Sequence, residues 1–318
     1  MIVFLRKNEG VLTVVSIVLL ALISIYFGMV SHQEMALFHS APFLTALMGA
    51  KGPMLPSWLN YLMFYPLAIV NAFLLNRIIQ QEGLVTKLSN IPILIFVILL
   101  LCLPEAFRSP LAMVATTVVI IVLSYSLKVL NEVHTDRALF NASFLSGGLI
   151  LVQPLYFPMF FSLIILLLLT GVVSVKRLLL AALGLLTPIY LVFGLVFLFN
   201  PTEVQAFNDL LVVSDSLMNI SPTQISFLTL MLVSILFGNA LTASSSTLRE
   251  RRKWHWIMMF FIALSLSVFL GSIEFIVIST MVPSVVILSK NFVLIQNKWI
   301  ARGLFFGLLA VCLINLLA

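Results

Sequence analysis

The chain is a succession of apolar runs, each close to the length that one bilayer crossing requires, with little chain between them. A crossing helix needs about 20 mostly apolar residues, and roughly eleven runs approach that length. They lie near 11–30, 58–75, 88–103, 111–127, 138–155, 158–175, 178–199, 225–242, 254–270, 273–288 and 303–318. Several are short, and those at 88–103 and 138–155 suit a tilted, broken or re-entrant segment. In hydrocarbon every backbone N–H and C=O must find its partner within the protein, so such runs fold as packed helices. Composition agrees: 62% of the 318 residues are hydrophobic and 9% are charged, with a mean hydropathy of +1.20. A soluble domain of this size has no interior large enough for that much apolar surface. The expected fold is all-α, a polytopic transmembrane helix bundle forming one integral-membrane domain over residues 1–318.

Charge placement orients the bundle. Of 17 Lys and Arg, only Lys51 and Arg108 fall on one side. The others are Arg6, Lys7, Arg77, Lys87, Lys128, Arg137, Lys176, Arg177, Arg249, Arg251, Arg252, Lys253, Lys290, Lys298 and Arg302, all in the alternate gaps. Short loops rich in Lys and Arg stay in the cytoplasm. The amino terminus is therefore expected inside and, with eleven spans, the carboxyl terminus outside, in a bacterial inner membrane. The net charge of +6 follows from this bias and from attraction to anionic headgroups, and calls for no nucleic acid. Arg249 to Lys253 precede Trp254 and Trp256, a pattern that predicts an interfacial anchor with the indoles at the headgroup boundary. The first run lacks a small-x-small cleavage signature and reads as a signal anchor. Cys102 and Cys312 lie inside runs and read as packing residues, not as a disulfide or metal pair.

Two longer outer segments, 31–57 and 200–224, hold the polar chemistry. In the first, polar and apolar residues alternate at helical spacing from Ser31 to Met48, which predicts a helix lying on the outer surface before Gly52, Pro53 and Pro56 end it. Ionisable groups at membrane depth are costly, so the outer acids are the candidate site: Glu34, Glu105, Glu203, Asp209 and Glu274. Each also has a structural role open to it, with Glu105 pairing Arg108 and with Glu34 and Glu274 capping helices or meeting headgroups. Lys51 and Arg108 are the outer cations suited to a lipid-linked phosphate. His32, Glu34 and His39 assemble no metal site, because a helix turns residues 32 and 34 to different faces and no fourth ligand is evident. No phosphate-cradling glycine loop or nucleophile elbow occurs. Within the runs, Asn71, Asn239, Thr116 and Thr117 are expected to bind neighbouring helices or their own backbone. Pro66, Pro188 and Pro283 are expected to kink theirs, with Gly184 adding freedom beside Pro188.

The stretch Leu103-Pro104-Glu105-Ala106-Phe107-Arg108-Ser109-Pro110, then Leu139-Phe140-Asn141-Ala142-Ser143-Phe144 and Gln153-Pro154-Leu155-Tyr156-Phe157, resembles an uncharacterised family of polytopic inner-membrane proteins of Bacteroidetes, over about residues 60–200. More distantly the chain resembles the GT-C class of integral-membrane glycosyltransferases. That likeness implies a helical module over 1–200 with outer loop 31–57, and a second part over 201–318 with outer loop 200–224. It implies a polyprenyl-phosphate-linked sugar as donor, Glu34 as catalytic base, and Glu105 as a metal or acceptor contact. The class carries Asp or paired acids in its first loop, whereas here Glu34 stands alone and Asp136 is the first Asp. No cofactor is identified. Two other functions fit the same composition, a transporter or lipid-carrier flippase, and a non-catalytic membrane subunit of an envelope assembly or secretion complex.

Overall fold

The computed structural model describes residues 9–30, 35–36, 54–55, 57–85, 90–101, 103, 110–131, 135–171, 173–199, 229, 232, 247–270, 273–294, 303, 306–307 and 310. The helices in chain order are α1 Glu9–Val30, α2 Ser57–Gln81, α3 Ile91–Leu101, α4 Pro110–Leu130, α5 Thr135–Val152, α6 Phe157–Thr170, α7 Val175–Phe199, α8 Leu248–Leu270 and α9 Ile273–Leu294. A 3-10 turn, Pro154–Tyr156, joins α5 to α6. Each helix coincides with one expected run, and the runs at 225–242 and 303–318 lie almost wholly outside the described residues. Among the described residues, Leu62–Gln81, Pro110–Leu130 and Val175–Leu195 are long and apolar enough to cross a membrane.

One local expectation is corrected. Met35–Ala36, placed by the sequence pattern in a surface helix, is extended and pairs antiparallel with Met54–Leu55, in the register Met35↔Leu55 and Ala36↔Met54. Backbone bonds between the two ends of the 31–57 segment there replace the i→i−4 bonds of a helix.

Helix α9 forms the centre. From Ile278 to Leu288 every residue is buried, against α3, α4 and α8. A helix apolar on all sides belongs inside a bundle. Its buried Ser279, Thr280 and Ser284 are accommodated because hydroxyls can turn to nearby carbonyls, as Ser284 does to Thr280 O at 2.6 Å. Tyr156, wholly buried after α5, shares a hydrogen bond with Ser279 on this helix. Helix α7 is the opposite case. It packs chiefly on α5 and turns Leu179, Leu183, Leu186, Tyr190 and Leu191 outward, a face suited to lipid.

The α5–α7 crossing depends on glycine. A Cβ on Gly184 would lie 2.9 Å from both Phe140 O and Ser143 Cβ, and one on Gly147 would collide with Leu185 O and the Pro188 ring. Gly184 is thus a contact residue that lets two backbones approach, not a hinge beside Pro188. The proline has its own effect, since it donates no N–H to the Gly184 carbonyl four residues back.

Asn71 and Thr117 behave as expected of polar groups in an apolar bundle. The buried Asn71 amide donates to Met113 O at 2.9 Å, and the Thr117 hydroxyl donates to Asn71 Oδ1 at 2.7 Å, joining α2 to α4. Thr116 turns to its own helix and donates to Ala112 O at 2.8 Å. Replacing Asn71 with leucine is expected to cost about 0.6–1.7 kcal/mol, the span measured for such interhelical bonds. Thermal unfolding of the detergent-purified chain checks this, and no loss would mean that the bond contributes nothing net.

Candidate functional site

Hydrogen bonds and ion pairs collect the charged helix ends at one end of the bundle. Helix α2 stops where Gly83 adopts the left-handed conformation, φ 61°. Its N–H binds Gln80 O while Leu84 N–H reaches back to Ile79 O, so the last carbonyls of the helix are satisfied. That stop presents Glu82 to two other helices. Lys253, in the second turn of α8, lies 3.6 Å from the Glu82 carboxylate and donates to the Glu82 carbonyl at 2.7 Å. The Asn131 amide, just past α4, donates to the same carboxylate. The Lys253 and Glu82 side chains are 11% and 13% exposed, so the pair is held in low dielectric, where Coulomb attraction is strong and an unpaired charge is costly.

Three further groups occupy that end. Asp136, at the start of α5, receives the Arg177 guanidinium and the Lys176 ammonium from the start of α7, each at 3.0 Å. Those hydrogen bonds hold the Asp136 carboxyl below its usual range. Asn90, just before α3, receives a bond from Asn76 of α2 at 3.1 Å and donates to Thr13 of α1 at 2.8 Å. Lys290, near the end of α9, stands 4.2 Å over the Trp254 ring of α8.

The start of α8 also explains why its tryptophans are not interfacial. A capping box opens the helix: Glu250 N–H donates to the Thr247 hydroxyl at 3.3 Å, and Thr247 N–H to the Glu250 carboxylate at 3.1 Å. From there helical periodicity sends Arg251, Arg252 and His255 outward and the indoles inward. Trp254 is 4% exposed and Trp256 wholly buried, with its ring N–H directed at Ser162 O of α6 at 3.3 Å. The expected headgroup anchor is therefore corrected to a core contact, because the bundle supplies a carbonyl for the buried indole N–H.

Glu34, Lys51, Glu105, Arg108, Glu203 and Asp209 lie outside the described residues. Glu274 falls in the first turn of α9, and its side chain is also outside the described set. The helix ends that flank these positions are described. The end of α1, start of α2, end of α3, start of α4, end of α7 and start of α9 are the termini opposite those joined by Glu82, Asn90, Asp136 and Lys290. Glu82 and Asp136 fall outside the outer acids that the charge pattern singles out. The Gln81-Glu82-Gly83 helix stop and the Thr135-Asp136 helix start were the signals available. Among the described residues Glu82 with Lys253, and Asp136 with Lys176 and Arg177, fasten helices to one another. Comparison with protein-family models, with curated proteins and with solved structures finds no match to this chain.

Proposed function

We propose that the chain is a multi-pass protein of the bacterial inner membrane, with about eleven spans and a cytoplasmic amino terminus, that transfers sugar from a polyprenyl-phosphate carrier at the outer face in the manner of GT-C glycosyltransferases. The sorting of helix ends carries this reading. Basic first turns and their ion pairs occupy one end of the bundle, as positive-inside sorting requires of a cytoplasmic face. The helix termini next to Glu34, Lys51, Glu105, Arg108, Glu203, Asp209 and Glu274 lie toward the other end.

In this reading Glu34 takes the proton of the acceptor hydroxyl. The acceptor oxygen bonds to the anomeric carbon as the carbon–phosphate oxygen bond breaks, and Arg108 with Lys51 neutralises the departing polyprenyl phosphate. Glu105, Glu203, Asp209 and Glu274 are left to position the acceptor. A charged transport relay is less well supported, since no Asp, Glu, Lys or Arg among the described residues is fully buried.

The test is binding of polyprenyl phosphate to the purified chain, followed by a transfer assay. Saturable binding is expected, weakened about tenfold or more in Arg108→Ala by loss of a charge-assisted bond. Glu34→Ala is expected to bind and not to transfer. A folded wild type without binding sinks the reading and leaves a flippase for another cargo or a non-catalytic subunit of an envelope assembly.

A further inference from the structure

Helix α8 carries two chemistries along one outward strip. At about 100° per residue, Arg251, Arg252 and His255 share an arc of about 100° with Met259, Ile262 and Leu266 further along the helix. All six are exposed, the last three at 42%, 42% and 53%. Basic groups thus sit at the ion-paired end of the bundle, and a continuous apolar track runs from them toward its middle. The positive charge is poorly placed for the helix itself, since cations in a first turn face the positive end of the backbone dipole. Glu250, whose carboxylate accepts the Thr247 N–H, offsets part of it.

We propose that this strip binds an anionic phospholipid of the cytoplasmic leaflet. The phosphate-bearing headgroup meets Arg251 and Arg252, and an acyl chain lies along Met259, Ile262 and Leu266. The apolar track selects the lipid over free phosphate, because a soluble anion has no use for it, and basic clusters beside membrane helices favour acidic headgroups. The site stands at the opposite end of the bundle from the proposed sugar-transfer residues and does not depend on that activity. It depends on the bundle lying in a bilayer with its ion-paired end at the cytoplasmic leaflet.

Native mass spectrometry of the detergent-purified full chain, titrated with phosphatidylglycerol or phosphatidylcholine, tests it. Phosphatidylglycerol is expected to bind preferentially, and Arg251→Gln/Arg252→Gln to weaken that binding about thirtyfold, the loss for two surface cations. Arg77→Gln/Lys128→Gln removes two exposed cations from α2 and α4 and is expected to change it less than threefold. Equal losses in both double variants, or none in the first, would overturn the proposal. Displacement of the lipid by millimolar inorganic phosphate would also overturn it, since the track would then contribute nothing. Size-exclusion chromatography separates each outcome from misfolding.

Discussion

Gly147→Ala is expected to destabilise the chain by about 3 kcal/mol and Gly184→Ala by about 2 kcal/mol, the cost of forcing volume into a close-packed contact. The added methyl at Gly147 meets the Leu185 carbonyl and the Pro188 ring, two rigid groups on α7, so the helices must separate. At Gly184 the neighbours are the Phe140 carbonyl and the Ser143 Cβ at 2.9 Å and the Phe144 nitrogen at 3.3 Å, all fixed to the α5 backbone but less closely approached than the Leu185 carbonyl is at Gly147, so a smaller separation suffices. Gly148 supplies the internal control. A Cβ there meets nothing within 4 Å, so Gly148→Ala is expected to be neutral or to gain up to about 1 kcal/mol from improved helix propensity. Unfolding in a graded sodium dodecyl sulfate titration measures all three. Equal behaviour of Gly147→Ala and Gly148→Ala would remove the close-approach account of the α5–α7 crossing.

The second large effect is at the Glu82–Lys253 pair. Lys253→Ala is expected to cost about 3 kcal/mol, because the Glu82 carboxylate stays sheltered with its cation gone. The double variant Glu82→Leu/Lys253→Met removes both charges and keeps the volume apolar. It should cost less than Lys253→Ala alone, leaving chiefly the lost bonds to the Glu82 carbonyl and from the Asn131 amide, about 1 kcal/mol each. That inversion, with two substitutions milder than one, distinguishes a sheltered ion pair from an exposed one. If the costs simply add, the pair is solvated and fastens little.

Much of the secondary structure was legible because the signals are local. Hydrophobic run length places α1 to α9, since a helix in an apolar medium needs only enough apolar residues and no exposed backbone. The capping box at Thr247 and Glu250 and the glycine stop at Gly83 are equally local and can be read from residue type. Asn71 and Thr117 were recognisable as interhelical partners because hydrocarbon offers a buried amide or hydroxyl no solvent.

The errors have a common source. Trp254 and Trp256 beside a basic cluster match an interfacial anchor in one dimension. Only the azimuth of α8 against α6 and α9 shows that the cations turn out and the indoles turn in. Gly184 beside Pro188 suggests a loose hinge until the Phe140 carbonyl of α5 is found against it. Met35–Ala36 carries helical spacing, but its partner strand lies across the loop at Met54–Leu55. In each case the deciding neighbour is remote in sequence.

The sequence by itself determined that this is a helical protein rich in segments fit for a bilayer, and the sign of charge at each helix end. These are sums over contiguous residues, and the solvent preference of a segment depends on little else. Tertiary structure alone decided which apolar face is lipid-facing and which is core, why α9 takes the centre and α7 the edge, and which acids are bound to which cations. Those depend on packing between segments that are all comparably apolar, where hydrophobicity no longer distinguishes inside from outside and shape, small residues and a few polar bonds do.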